Sequence, residues 1–500
     1  LRVFNFPSIQ YIQDPKDSTG TALIANIFLS PRKKYQFNIA LDFTHSNIQD
    51  FGISGNTSLT IRNIFRGAET LEIAARGNIG SSRELANPDD AFFNLSEIGV
   101  DARLNFPRIF FPFNTDKIIP KSMIPSTQFS VGLAKQTNIG LDKENFTSFL
   151  TYNWNPKRQN NVRFDLFNVQ YVKNLRIDRY FDVYRSSYNA LNNVANEYRT
   201  PEIDGYFNEQ GNLIIDSGTN SFLQDVLGQN PTIFPDATDL RAIRSIEERR
   251  QRLIENNLIV ASSYSFSKST KKGLLDNNFY IMRTKVELAG NTLSLLSRAV
   301  GQEKNTNGNY TIFDVEFSQY IKNEFEFIKH WDLKRNTVLA ARFFSGIAIP
   351  YGNSNNIPFS RSYFAGGSND NRAWRPFSLG PGGTSAQNDF NEANLKLALS
   401  AEYRFKLFGN FRSAFFADLG NIWNVLDNTS NPEAKFNGFD SLSDIALGTG
   451  FGLRYDFSFF VVRLDMGFKT YNPANEMDKR WFNEYNFKNS VLNIGINYPF

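Results

Sequence analysis

The chain has 500 residues, with 54 basic against 50 acidic side chains, two histidines and no cysteine. These numbers exclude disulfide frameworks, thiolate nucleophiles and cysteine–zinc sites. They leave almost no material for a Ser-His-Asp triad, and the net charge of +4 is too weak to mark a nucleic-acid-binding surface.

Aromatic side chains make up 15% of the sequence, with 49 Phe and 20 Tyr, while mean hydropathy is negative. No apolar run approaches the roughly 18 residues of a spanning helix. That combination suits a transmembrane β-barrel, in which only alternate residues face lipid. No signal peptide precedes Leu1, so the chain reads as a mature or trimmed piece.

In chain order, period-two patterning predicts strands at 34–46, 51–64, 69–81, 95–108, 123–137, 146–155 and 161–173. After an interruption come 258–269, 277–289, 309–325 and 333–348, then 393–408, 411–424, 445–457, 459–471 and 490–500. The total is sixteen, an even number that leaves both ends on one side of the barrel. Links after even-numbered strands are short, such as Arg66-Gly67-Ala68 and Gly409-Asn410, whereas 174–257, 290–308, 349–392, 425–444 and 472–489 are long. Short periplasmic turns opposed to long extracellular loops are the outer-membrane pattern. One even link, 109–122, breaks the rule: it is longer and rich in Phe and Pro.

The insert 174–257 predicts a small extracellular cap with two helices. One follows Asp236 or Asp239 as N-cap and runs through Leu240, Ile243, Ile246, Leu253 and Ile254, with Glu247, Glu248, Arg249, Arg250 and Arg252 outside. The other is near 186–198. Asp216 to Asn220 lacks the spacing of a calcium loop and reads as a turn. Of the two histidines, His45 and His330, the latter lies in Lys329-His330-Trp331-Asp332, which also reads as a turn.

The last strands decide between a dry core and a wet lumen. In 393–407, Leu395, Leu397, Leu399, Ala401, Tyr403, Phe405 and Leu407 alternate with Lys396, Glu402, Arg404 and Lys406 among others. In 459–469, Arg463, Asp465 and Lys469 oppose Val462, Leu464 and Met466. A dry core rejects such a charged face, and a wide barrel lumen accepts it. Between strands 333–348 and 393–408, residues 363–382 hold four glycines, two prolines and two arginines. This is a long loop of the kind that folds back for a function.

Here the residues resemble a known family. Arg372-Ala373-Trp374 stands where the BamA/TamA superfamily of outer-membrane assembly barrels (the bacterial surface antigen family) carries Arg-Gly-Phe/Tyr. Ser400-Ala401-Glu402-Tyr403 and Phe416-Ala417-Asp418-Leu419-Gly420-Asn421-Ile422-Trp423 follow on the next two strands, and the chain ends in an alternating strand with Phe500. The likeness covers about residues 330–500, and its loop string is most similar to the TamA-like branch of Bacteroidetes.

The resemblance implies an all-β, 16-stranded antiparallel transmembrane barrel over 31–500 in the bacterial outer membrane, whose sixth extracellular loop, 349–392, folds into the lumen. Arg372 is expected to contact Glu402 and Asp418, both lumen-facing by parity, through forked hydrogen bonds. Ala373 departs from the family glycine and would resist a positive φ by roughly 1 kcal/mol.

Residues 1–30 are expected to end a periplasmic POTRA domain or to form a linker strand. The implied function is insertion of unfolded outer-membrane protein clients into the lipid bilayer, without covalent chemistry or cofactor. It would act through a seam between strand one (Tyr35, Phe37, Ile39) and strand sixteen (Leu492, Ile494, Gly495, Ile496, Pro499, Phe500). A TamB-like inner-membrane-anchored partner or accessory lipoproteins are the expected company. The alternative is a two-partner secretion pore or a passive channel.

Overall fold

A computed structural model describes residues 3–16, 19–44, 51–81, 95–137, 142–273, 276–384, 391–429, 431–457 and 460–500. His45 lies outside them. Sixteen antiparallel strands form one sheet in which each pairs with its neighbour in sequence. They are β1 (Tyr35–Thr44), β2 (Phe51–Arg62), β3 (Thr70–Ser81), β4 (Leu95–Phe106), β5 (Ser126–Thr137), β6 (Lys143–Trp154), β7 (Asn160–Asn174) and β8 (Asn257–Ser269). The others are β9 (Tyr280–Ala289), β10 (Tyr320–Lys334), β11 (Thr337–Pro350), β12 (Leu395–Phe408), β13 (Phe411–Trp423), β14 (Ala446–Asp456), β15 (Val461–Tyr471) and β16 (Val491–Ile496).

Their alternation is that of a transmembrane wall. Leu399, Tyr403, Phe415, Phe451, Leu453 and Leu464 point out and are exposed, whereas Ser400, Glu402, Arg404, Asp418, Arg454, Arg463 and Asp465 point in and are buried. The apolar residues therefore form the outside of the cylinder, and the charges form its inner wall. Tight turns close the short side: Gly409 takes φ +50 between β12 and β13, and Lys334, Arg335 and Asn336 all take positive φ between β10 and β11.

Three expectations change here. The tenth strand was expected at 309–325. Instead, Thr311–Ile312 and Val315–Glu316 make a small hairpin in the extracellular link, and β10 begins at Tyr320. The positive-φ turn at 334–336 sets that register, so His330 is not in a turn. It lies within β10, buried and stacked on Phe279 at 4.3 Å between ring centroids. The final strand ends at Ile496, because Asn497 takes φ +65 and turns the chain inward.

Residues Ser8–Gln13 and Leu23–Phe28 pair as an exposed hairpin ahead of β1. The insert between β7 and β8 folds as a cap whose longer helices are α1 (Arg185–Glu197), α2 (Ser217–Leu227) and α3 (Ala237–Ile254), after a single helical turn at Tyr180–Val183, around its own core of Phe181, Leu191, Phe222, Ile243 and Ile246. Asp236 is the N-cap of α3, accepting from the Thr238 and Asp239 amides at 2.7 and 2.9 Å. The expected turn at 216–220 is instead the start of α2, whose Phe222, Leu223 and Val226 bury one face in the cap core. A further helix, α4 (Asn291–Ala299), lies in the β9–β10 link.

Candidate functional site

Between β11 and β12 the chain turns into the barrel. Gly366 and Gly367 take φ +94 and +106, and the Gly367 amide donates to the Trp374 carbonyl at 2.8 Å, closing a tight tip. Arg372 at that tip is 1% exposed. Its Nε and Nη2 donate to Oδ2 and Oδ1 of Asp418 at 2.8 and 3.0 Å, and its Nη1 donates to Glu402 Oε2 at 2.6 Å. The guanidinium also lies 3.5 Å from the centre of the Phe416 ring. Register explains the convergence: Glu402 sits opposite Phe416, and Asp418 sits opposite Ser400, so both acids rise from one patch of β12–β13.

Sequence reasoning put Arg404, Arg463 and Asp465 on the lumen face but did not join them to Arg372. Asp465 of β15 lies 3.4 Å from Arg372 Nη1 and also takes Arg454 at 2.8 Å and Arg463 at 2.7 Å. Glu402 Oε1 takes Arg404 at 2.8 Å and Arg454 at 2.9 Å. Asn493 of β16 donates to the Arg372 carbonyl at 2.9 Å. Four arginines and three carboxylates thus pair with one another out of water, where a lone charge would be prohibitive. The available signal was parity: every one of these side chains is on the inward register of its strand.

The wall is shaped to admit the tip. Gly450 and Gly467 are directly opposite, and Gly448 is beside Asp418. A Cβ on Gly467 would meet the Arg372 carbonyl oxygen at 2.3 Å, and one on Gly448 would meet Ala373 Cβ at 2.7 Å. Ala373 is fully buried and is not among the positive-φ residues, so the expected cost of alanine at the family glycine does not arise. Trp374 is buried beside it, its ring 5.8 Å from Lys469 Nζ.

The two ends of the sheet are different in kind. Among the described residues no ladder joins β1 to β16. Tyr35, Phe37 and Ile39 are exposed, as are Leu492, Ile494 and Ile496, with Ile39 at 75% and Ile494 at 69%. Gly495 faces the lumen, where a Cβ would meet Arg463 Nε at 2.6 Å. Pro499 and Phe500 do not belong to the seam as a strand would place them, because the turn at Asn497 carries them inside. There Arg404 lies 4.2 Å from the Tyr498 ring and 5.4 Å from the Phe500 ring.

The outer rim has a second set of charges. Arg249 and Arg252, expected on the solvent face of α3, turn toward the barrel mouth and are largely buried. Arg252 reaches Glu392 at 3.1 Å, Asp427 at 3.7 Å and the Thr429 hydroxyl at 3.1 Å. The cap is thereby tied to the shoulder of the loop whose tip Arg372 anchors. Among the described residues no group of three or more His, Cys, Asp or Glu is placed to hold a metal.

An apolar cylinder with a charged lumen that holds its own extracellular loop defines an integral β-barrel of the bacterial outer membrane. Residues 301–491 match the Omp85 superfamily domain. The crystal structure of BamA from Haemophilus ducreyi lacking POTRA domains 1–3 shares the fold, with TM-score 0.53 and 12% identity, over 98% of this chain and 74% of that one. CdiB from Acinetobacter baumannii aligns with TM-score 0.42 and 10% identity, over 99% of this chain and 65% of that one. None of the curated proteins matches this sequence.

Proposed function

We propose that this barrel inserts or folds client β-barrel proteins into the outer membrane through the β1–β16 seam, with no covalent chemistry. The observation that carries this reading is that no ladder joins the edges of β1 and β16 among the described residues. In lipid an open row of N–H and C=O groups is costly unless another strand satisfies it, so the edge is a template for an incoming client strand. The filled lumen favours lateral delivery over passage down the axis, since the Arg372 cluster and the inward tail occupy the route a secreted chain or solute would take.

Clients would be unfolded outer-membrane proteins, and POTRA domains, a TamB-like partner or accessory lipoproteins would present them. The test uses the absence of native cysteine. Cysteines at Ile39 and Ile494, bridged by a thiol crosslinker, should halt client assembly, with recovery on cleaving the linker. Full assembly by the bridged protein, or large steady conductance from the unmodified one, would favour the secretion-pore or channel alternative.

A further inference from the structure

The short-side link between β4 and β5 does not behave as a turn. It folds back against the outside of the barrel. Phe106 lies on the outward register of β4, with Ile98 and Val100, while Glu97 and Asp101 face in toward Arg76. Phe110 stacks on Phe106 with ring centroids 4.6 Å apart and planes 11° apart.

The link is also fastened by polar contacts to that outer wall. The Phe110 amide donates to Thr127 Oγ1 at 2.8 Å, and that hydroxyl donates to the Arg108 carbonyl at 2.8 Å. The Tyr152 hydroxyl reaches the Phe110 carbonyl at 3.2 Å, and Phe111 meets the Tyr152 ring edge-on at 6.2 Å. Arg108 pairs with Glu69 at 2.7 Å, which ties the link to the adjacent turn.

A segment held this firmly nonetheless displays Phe110, Phe111, Phe113, Ile118 and Ile124 outward, with Phe113 at 76% and Ile118 at 78% exposure. These side chains continue the lipid-facing wall downward rather than pointing into the lumen. Exposed Lys117 and Lys121 stand among them, with Asp116 the one acid between Ile109 and Ser122. Large apolar groups interleaved with cations at the edge of a membrane-spanning wall have the chemistry of the phospholipid interface, where rings sit at headgroup depth and lysines meet phosphate.

We infer that residues 107–125 form a membrane-embedded foot, seated in the periplasmic leaflet, that binds anionic phospholipid headgroups through Lys117 and Lys121. This holds whichever cargo the barrel handles. The foot is about a quarter of the way round the wall from β1, so it fixes one side of the cylinder in the leaflet and leaves the edges free.

The test is a depth measurement on the whole chain, which lacks native cysteine. Phe113→Cys and, as a water-exposed reference, Phe439→Cys (90% exposed in an extracellular loop) are labelled with an environment-sensitive fluorophore. Each is reconstituted in equimolar phosphatidylethanolamine and phosphatidylglycerol vesicles with iodide on both sides. Position 113 should be quenched by shallow spin-labelled lipid and at least about threefold less by iodide than position 439. Lys117→Glu with Lys121→Glu should raise iodide quenching at 113 in these vesicles and not in phosphatidylcholine alone. Quenching at 113 equal to that at 439, or shielding that appears only when a periplasmic protein extract is added, overturns the proposal. An unchanged signal in the double charge reversal overturns the headgroup assignment.

Discussion

Arg372 and Asp418 meet edge to edge, two N–H groups on two carboxylate oxygens at 2.8 and 3.0 Å, with neither side chain more than 1% exposed. The Arg372 amide adds a third bond to the same carboxylate at 3.2 Å. Arg404, Arg454 and Arg463 serve Glu402 and Asp465, so Arg372 is the one cation paired with Asp418 among the described residues. Arg372→Met should therefore cost about 3–5 kcal/mol in denaturant unfolding, the range for stranding a buried charge. Adding Asp418→Asn should restore part of that loss. A double variant no better than the single one would show that Asp418 is not the stranded partner.

Seating of the tip depends equally on what the wall lacks. Gly467→Ala puts a methyl group 2.3 Å from the Arg372 carbonyl oxygen, a backbone atom with no room to move. The expected result is an expelled tip, read as long-lived large openings in planar bilayers. Gly55→Ala on β2 meets nothing within 4 Å and should leave the conductance unchanged.

Much of this barrel is legible in the sequence because alternation on a lipid-facing strand is nearly free of other constraints. Leu399 or Leu464 has no tertiary partner to satisfy, only the bilayer. The mis-set tenth strand shows the limit: Thr311, Phe313 and Val315 alternate as well as a wall strand does, yet a positive-φ pair at Phe313 and Asp314 closes them into a loop hairpin. Parity also put Glu402 and Asp418 in the lumen. It did not show that Asp465, three strands along from β12, shares the same arginine, because that depends on strand stagger. The inward turn at Asn497 and the docking of Arg252 on Glu392 are set by contacts far apart in sequence and leave no local pattern.

Cap docking should respond to pH. The Glu255 carboxyl is pushed up to about 6 by desolvation and by the like charge of Glu316, with Arg252 opposing. Burial likewise raises Asp427 above the usual carboxylate range, against the pull of Arg252. A group whose value is raised on docking favours the docked state fully below its free value and loses that advantage as pH rises through the docked one. The cap should therefore hold tighter near pH 4.5 than near pH 7. Hydrogen exchange along α3 should be slower in acid. Glu255→Gln should flatten the part of the change near pH 6, leaving only the Asp427 contribution.

The inward tail rests on a single cation. Arg404 lies under the Tyr498 ring at 4.2 Å, bonds the Phe500 main-chain oxygen at 3.2 Å and is held from the other side by Glu402 at 2.8 Å. A nitroxide on Pro499→Cys should give a broad, immobilised spectrum in the otherwise native chain. Arg404→Leu removes the attraction between cation and ring, worth about 0.5–2 kcal/mol, together with the hydrogen bond, and should sharpen that spectrum. Arg404→Lys keeps the charge without the planar fork and should fall between the two. If Arg404→Leu leaves the line shape broad, the positive-φ turn at Asn497 and the contact between His330 and the Phe500 backbone hold the tail inside, and the cation below Tyr498 serves only Glu402.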